Sequence, residues 1–213
     1  ELEGRKGPSM DKTSDAEEKF TSSLEFVLTG AQKRTWEEIR SDLKGNRPMR
    51  RLLQGDVGSG KTLVGALSAL HAHENGWQTA FMCPTEILAE QHHLSLSEWF
   101  SSLGLSVELL TGSTKSSERK EIITKLKSGE INILVGTHAL FQKDVIFNCL
   151  GLTVIDEQHR FGVHQRFSML EKGGTDNQSP HQLIMTATPI PRTLAMTVYG
   201  SLETSIIDEM PPG

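Results

Sequence analysis

Gly55-Asp56-Val57-Gly58-Ser59-Gly60-Lys61-Thr62 satisfies the phosphate-loop pattern G-x-x-x-x-G-K-T at every fixed position. Arg51-Leu52-Leu53-Gln54 reads as a short strand running into it, and Leu63 to Leu70 as the helix leaving it. Glycines let the backbone fold tightly enough for successive N–H groups to face phosphate oxygens, and the helix N-terminus adds the positive end of its dipole. Lys61 is then placed to reach the β and γ phosphates, and the Thr62 hydroxyl to ligate Mg2+. The alternative is a chance glycine turn before a helix. Strand, loop, Lys-Thr and helix in the right order argue against it, so the stretch predicts ATP-type nucleotide binding with Mg2+.

Outward from the loop, short apolar runs alternate with longer amphipathic ones. Candidate strands are 52–54, 79–83, 106–110, 131–135, 152–155, 183–186 and 205–207. Candidate helices are 32–43, 62–75, 86–103, 116–128, 164–171 and 191–199. Near-continuous apolar strands separated by helices predict an α/β fold, a mostly parallel sheet with helices on both faces. Ligands of such sheets bind at the carboxyl ends of the strands. About a hundred residues after the loop, the apolar run Leu152-Thr153-Val154-Ile155 delivers Asp156-Glu157-Gln158-His159 to such an end. Asp156 is the natural Mg2+ ligand through water, and Glu157 can orient and polarise an attacking water. Standing alone, the box reads equally well as a strand-end turn with surface acids.

The 213 residues suit one large α/β domain, and the 36% apolar content suffices for its core. Residues 1–23 are rich in Gly, Ser and charge and read as a flexible linker or tail, leaving 24–213 as the domain. No apolar run approaches the ~18–20 residues that span a bilayer, which predicts no membrane. Cys83 and Cys149 lie far apart beside apolar segments. They read as buried reduced thiols, in keeping with the cytoplasm. A net charge of −5 excludes a uniformly basic nucleic-acid surface. Lys33, Arg34, Arg47, Arg50 and Arg51 crowd the amino-terminal side of the loop, but composition favours a solvated helix face and turn there. His71/His73, His92/His93 and His159/His164 match no zinc spacing, and no cysteine pair accompanies them.

The phosphate loop, the Asp156–His159 box and Thr186-Ala187-Thr188-Pro189 resemble motifs I, II and III of superfamily 2 helicases. More narrowly, the stretches Asp156 to Arg166 (DEQHRFGVHQR) and Thr186 to Thr193 (TATPIPRT) resemble RecG-type branch-migration helicases. Transcription-repair coupling factors share much of this but carry Glu-Glu-Gln where this chain has Glu157-Gln158-His159. The resemblance implies a RecA-like P-loop motor domain acting on branched or forked DNA at the nucleoid. Its ATP would bind against a second RecA-like domain of the same polypeptide. That domain's motifs, with the arginine that reaches the γ-phosphate, lie outside these residues, as does a branch-binding wedge domain. On that basis the fragment is expected to bind ATP modestly, hydrolyse it slowly and unwind nothing alone.

Carried over residue by residue, the resemblance assigns Phe26, Leu28, Thr29 and Gln32 to a Q motif, with the Gln32 amide reading adenine. Pro84, Thr85, Glu86 and Gln91, then Thr111, Gly112 and Ser113, then Gly136, Thr137 and His138 resemble motifs Ia, Ib and Ic. Those contact DNA backbone in the family; the same residues also suit capping and turn-making. His159, Thr186, Ala187 and Thr188 would couple the phosphate site to the DNA path. Arg160, Gln165, Arg166 and Arg192 would lie near DNA or the domain interface. Two other classes compete: a P-loop kinase or metabolic ATPase without DNA coupling, and a non-catalytic nucleotide-binding domain. Nothing in the former calls for a Thr-Ala-Thr box, and the latter would normally have lost Lys61 or Glu157.

Overall fold

Seven runs of aliphatic and β-branched residues form strands: β1 (Arg50–Gly55), β2 (Gln78–Met82), β3 (Val107–Leu110), β4 (Ile133–Gly136), β5 (Leu150–Asp156), β6 (His181–Thr186) and β7 (Glu203–Ile207). They make one sheet in the order β3-β4-β2-β5-β6-β1-β7, and every pairing is parallel. The computed structural model describes residues 5–156, 178–187 and 203–211. All seven expected strands are present; the expected helices at 164–171 and 191–199 lie outside the described residues.

The period-2 alternation of the strands splits the core in two. Leu53, Phe81, Val135, Val154 and Met185 face helices α2 (Gly30–Lys44), α3 (Lys61–Glu74) and α4 (Glu86–Phe100). Leu52, Met82, Leu134, Ile155 and Ile184 face the other way, onto α5 (Ser116–Ser128) and the segment through Leu140, Val145 and Phe147. Burial on both faces explains the apolar strand runs. Thr29 and Thr85 cap α2 and α4 by accepting the N–H of Gln32 and Leu88. The expected helix 86–103 is α4 followed by a 3-10 turn at Ser101–Leu103, stopped by Gly104 in the left-handed region.

The amino-terminal segment departs from the flexible tail expected over 1–23. Residues 16–23 form helix α1 (Ala16–Ser23), and both Met10 and Phe20 are fully buried. The Phe20 ring lies 5.2 Å from Phe100 and 6.4 Å, edge-on, from Trp99. The arm before α1 is tied down by hydrogen bonds: Gly7 N–H to Asn46 O (2.9 Å), Trp77 Nε1–H to Ser9 O (3.2 Å) and His71 Nε2 with Met10 O (2.8 Å). A Cβ on Gly7 would collide with the His181 ring and the Arg47 carbonyl, so the close passage needs glycine. Two apolar side chains ten residues apart make no periodic signal. Their partners come from α3, α4 and the start of β5.

His181, fully buried at the first position of β6, anchors this arm. Its Nδ1 accepts the Met49 N–H at 2.8 Å, so Nε2 carries the proton and donates to Pro8 O at 2.9 Å. Burial lowers its pKa to about 4, and burial lowers His71 as well. The unfolded chain takes up the His181 proton near pH 6.5 while the folded chain resists it. This contribution is therefore complete above about pH 6.5 and declines as pH falls, levelling off below about 4. A displacement of that size corresponds to about 3 kcal/mol. Urea denaturation at pH 7 and pH 4.5 should show a steeper loss for the wild type than for His181→Gln, with parallel losses counting against it.

Candidate functional site

Because β5, β6 and β1 are adjacent and parallel, their carboxyl ends deliver Asp156, Thr186 and Gly55 to one rim. Gly58 (φ 85°) and Gly60 (φ 88°) take left-handed conformations in the loop after β1, and Gly60 becomes the N-cap of α3. A Cβ on Gly60 would overlap the Gln32 amide. Lys61 folds back on the loop, its Nζ donating to Gly55 O (2.5 Å) and Asp56 O (3.1 Å). Burial lowers its pKa, while the charges of Asp156 and Asp56 act in the opposite sense. Ser59 Oγ is buried without a hydrogen-bond partner among the described residues. The Val57 side chain, 76% exposed, stands off the loop's outer side.

Gln32 behaves differently from the sequence expectation. Its side chain is 1% exposed and both amide ends are engaged. Oε1 accepts the Thr29 N–H at 2.9 Å, closing a capping box on α2, and Nε2 donates to Ser59 O at 3.0 Å. The amide thus holds the phosphate loop against α2 instead of pointing outward at a base edge. The pattern T-x-x-Q was visible in the sequence as a capping signal but was absorbed by the Q-motif reading. Phe26, 42% exposed, lines an open groove of about 920 Å³ between α1 and α2 with Leu28 and Lys33. The segment after β7 folds back onto the start of α2, Glu209 Oε1 accepting the Ala31 N–H at 3.0 Å.

Thr62 and Asp156 meet through a residue that sequence reasoning passed over. His92 Nε2 lies 2.6 Å from Asp156 Oδ2, and His92 Nδ1 lies 3.5 Å from Thr62 Oγ1. The neighbouring His93 turns away to Val107 O at 3.1 Å, so the two do not act as a pair. Thr62 and Asp156 are hard oxygen donors of the type Mg2+ takes, one from the start of α3 and one from the end of β5. Among the described residues no cluster of three His, Cys, Asp or Glu side chains could hold a metal by itself. A divalent ion here would draw its other ligands from phosphate and water. Glu157, His159 and Thr188, with Arg160, Gln165, Arg166 and Arg192, lie outside the described residues. Thr186 is buried at the end of β6, and Ala187 is half-buried in the bend after it.

The remaining candidates end β2, β3 and β4 on the same rim, where local structure already uses several of their polar groups. Thr85 caps α4, Thr111 Oγ1 accepts the Ser113 N–H at 3.2 Å, and Ser113 Oγ donates to Glu86. Pro84 is half-buried, and Gln91, Gly112 and His138 are exposed. Thr137 Oγ1 is buried and unpartnered among the described residues. The groove beside Thr111 carries Glu90, Glu108, Glu118 and Glu121, so a phosphate there would meet carboxylates as well as hydroxyls.

Three of the five basic residues before the phosphate loop have structural partners, while Lys33 and Arg47 are exposed. Arg51 is 8% exposed and pairs with Asp42 (2.7 Å) and Glu38 (3.3 Å). Arg50 donates to Pro180 O and Ser179 Oγ, and burial lowers its pKa to about 10. Arg34 reaches Asp208. Cys83 is buried, and burial beside Asp156 pushes its thiol up; Cys149 is only half-buried, unlike the expectation for both. No helix among the described residues is long and apolar enough to cross a membrane.

Over 200 residues the chain is 57% identical to the ATP-dependent DNA helicase RecG of Pasteurella multocida, covering 94% of this chain and 29% of that relative. It is 56% identical over 195 residues to the protein of that name from Escherichia coli K12, covering 92% and 28%. The RecG resemblance read from the motifs is thus the resemblance found across nearly the whole chain. The solved structure of RecG bound to a three-way DNA junction superposes with a TM-score of 0.83 at 48% identity, over 98% of this chain and 27% of that one. The DEAD-box helicase Mss116 bound to single-stranded RNA gives 0.69 at 18% identity, over 91% of this chain and 42% of that one, a likeness of fold alone. The chain therefore spans less than a third of the length of its curated relatives. The family model described as DEAD/DEAH box helicase matches residues 29–197. A match of that extent settles the matter, and the chain belongs to the DEAD/DEAH box helicase family.

Proposed function

We propose that this chain is the first RecA-like motor domain of an ATP-dependent DNA helicase or translocase that remodels branched DNA, stalled forks and Holliday junctions among them. The single observation that carries the reading is the meeting of Lys61, Thr62 and Asp156 at one rim, with His92 touching both Thr62 and Asp156. The RecG relatives supply the substrate class. Work on such DNA places the protein in the cytoplasm at the nucleoid.

In this reading the loop from Gly55 through Asp56, Val57, Gly58, Ser59 and Gly60 wraps the triphosphate with its N–H groups. Lys61 leaves the Gly55 and Asp56 carbonyls for the β and γ oxygens. Both exchanges replace neutral acceptors by charged ones, which strengthens each hydrogen bond. Thr62 and, through water, Asp156 would hold Mg2+, which would supply positive charge against that developing on the γ-phosphate. Glu157 orients the attacking water. His159, Thr186, Ala187 and Thr188 carry the state of this rim to the loops holding Pro84, Thr85, Gln91, Thr111, Gly112, Thr137 and His138, which grip the DNA backbone without reading bases. A second RecA-like domain of the same polypeptide closes over the nucleotide and supplies an arginine.

The test is ATP turnover by the full-length protein with and without a synthetic three-way junction. Turnover should rise with the junction, and Glu157→Gln should slow it about 10²-fold with nucleotide affinity retained. Turnover indifferent to DNA would reject the motor reading in favour of an ATPase of another class. Full activity in Glu157→Gln would reject the catalytic assignment.

A further inference from the structure

His92 belongs to none of the motifs read from the sequence, yet it touches the two proposed cation ligands. It lies on the inner face of α4 between the buried Ala89 and Leu96, with its ring 5.0 Å from that of Phe81. Its side chain is 12% exposed and that of Asp156 9%, so the 2.6 Å contact is shielded from water. In the neutral imidazole, Nε2–H donates to the ionised Asp156 carboxylate, and the Nδ1 lone pair then faces the Thr62 hydroxyl. One hydrogen-bond chain then runs Thr62 Oγ1–H to Nδ1, and Nε2–H to Asp156 Oδ2. Its effect is directional. The Thr62 proton is turned aside, so an oxygen lone pair is left for a cation, and one carboxylate oxygen is engaged, which fixes how the other is presented.

We propose that His92 is a positioning residue for divalent-cation ligation: it fixes the Thr62 hydroxyl, at the start of α3, and the Asp156 carboxylate, at the end of β5, in one relative orientation. This rests on the nucleotide-site reading above and adds to it a third element, α4. Partners that orient metal ligands contribute 10–100-fold to metal affinity or activity. Removal of the imidazole should therefore weaken the Mg2+-dependent part of nucleotide binding and spare the part made by the loop amides and Lys61.

The measurement is the affinity of the full chain for N-methylanthraniloyl-ADP, by fluorescence titration in MgCl2 and in EDTA, for wild type, His92→Ala, His92→Phe and His92→Gln. The quantity read is the ratio of the two dissociation constants. The ratio should fall about 10-fold in His92→Ala and His92→Phe, with the EDTA value little changed. His92→Gln, which keeps an N–H donor, should recover part of it. His92→Phe fills the same space, so its failure to restore the ratio separates hydrogen bonding from packing. An unchanged ratio in both His92→Ala and His92→Phe would overturn the proposal, as would equal losses in MgCl2 and EDTA. A wild type that binds the probe with no Mg2+ enhancement would remove the cation site itself, and one that does not bind the probe would remove the nucleotide reading beneath it.

Discussion

Lys61→Ala is expected to cut ATP turnover by the full-length protein about 10²–10³-fold, the usual effect of deleting one preorganised charge from a phosphoryl-transfer site. The reason lies in how the side chain is spent. Among the described residues its ammonium has two backbone carbonyls as hydrogen-bond partners. Gly55 closes β1, already held in the sheet beside β7, and Asp56 is exposed, so neither carbonyl depends on the ammonium for folding. The same side chain is only half-withdrawn from solvent, and Asp156 and Asp56 favour its charged form. Alanine should therefore leave the thermal midpoint nearly unchanged while turnover collapses. Turnover within a few-fold of wild type would sink the assignment. A large fall in midpoint would mean that Lys61 acts on the fold instead.

Phe20→Ala should destabilise the folded chain by about 3–5 kcal/mol, as expected for truncating a buried aromatic. For a chain of this size that lowers the midpoint by about 10 °C. Phe20 is fully buried and packs against Phe100 and Trp99. It also brings α1 against α3, and Glu17 on α1 meets Trp36 and Arg40 of α2. A flexible leader would predict no change at all, so calorimetry on this one variant decides between the two pictures. Loss of α1 packing should leave the rim untouched, and Mg2+-dependent nucleotide affinity measured below the midpoint should stay near wild type.

What could be read from the chain alone was what is encoded locally. The phosphate loop announces itself because its glycines, lysine and threonine act within eight consecutive residues, and the central strands β2, β4, β5 and β6 because burial on both faces leaves an apolar run. The order of the strands was not readable. It places β6 between β1 and β5 although the chain reaches it last of the three. The arm escaped notice because Met10 and Phe20 are single apolar residues in polar company. The arginines before the loop gave a basic cluster in sequence. Arg51 finds its partners Glu38 and Asp42 one helix earlier, and that depends on how α2 lies over β1. His92 looked like half of a His-His pair. Helical geometry sends the two rings to different neighbours, one to Asp156 and one to β3. Gln32 was recognised as important for a reason the geometry does not use in this state.

The arm that wraps His181 and Met49 lies at the amino ends of the strands, and the phosphate loop and Asp156 lie at their carboxyl ends. Strands of six or seven residues set those two poles roughly 20 Å apart. Durability and chemistry therefore sit at opposite ends of the same sheet. Substitutions, labels or tethers placed at the amino pole can harden or soften the domain as an independent dial, with the reacting groups left in their own register.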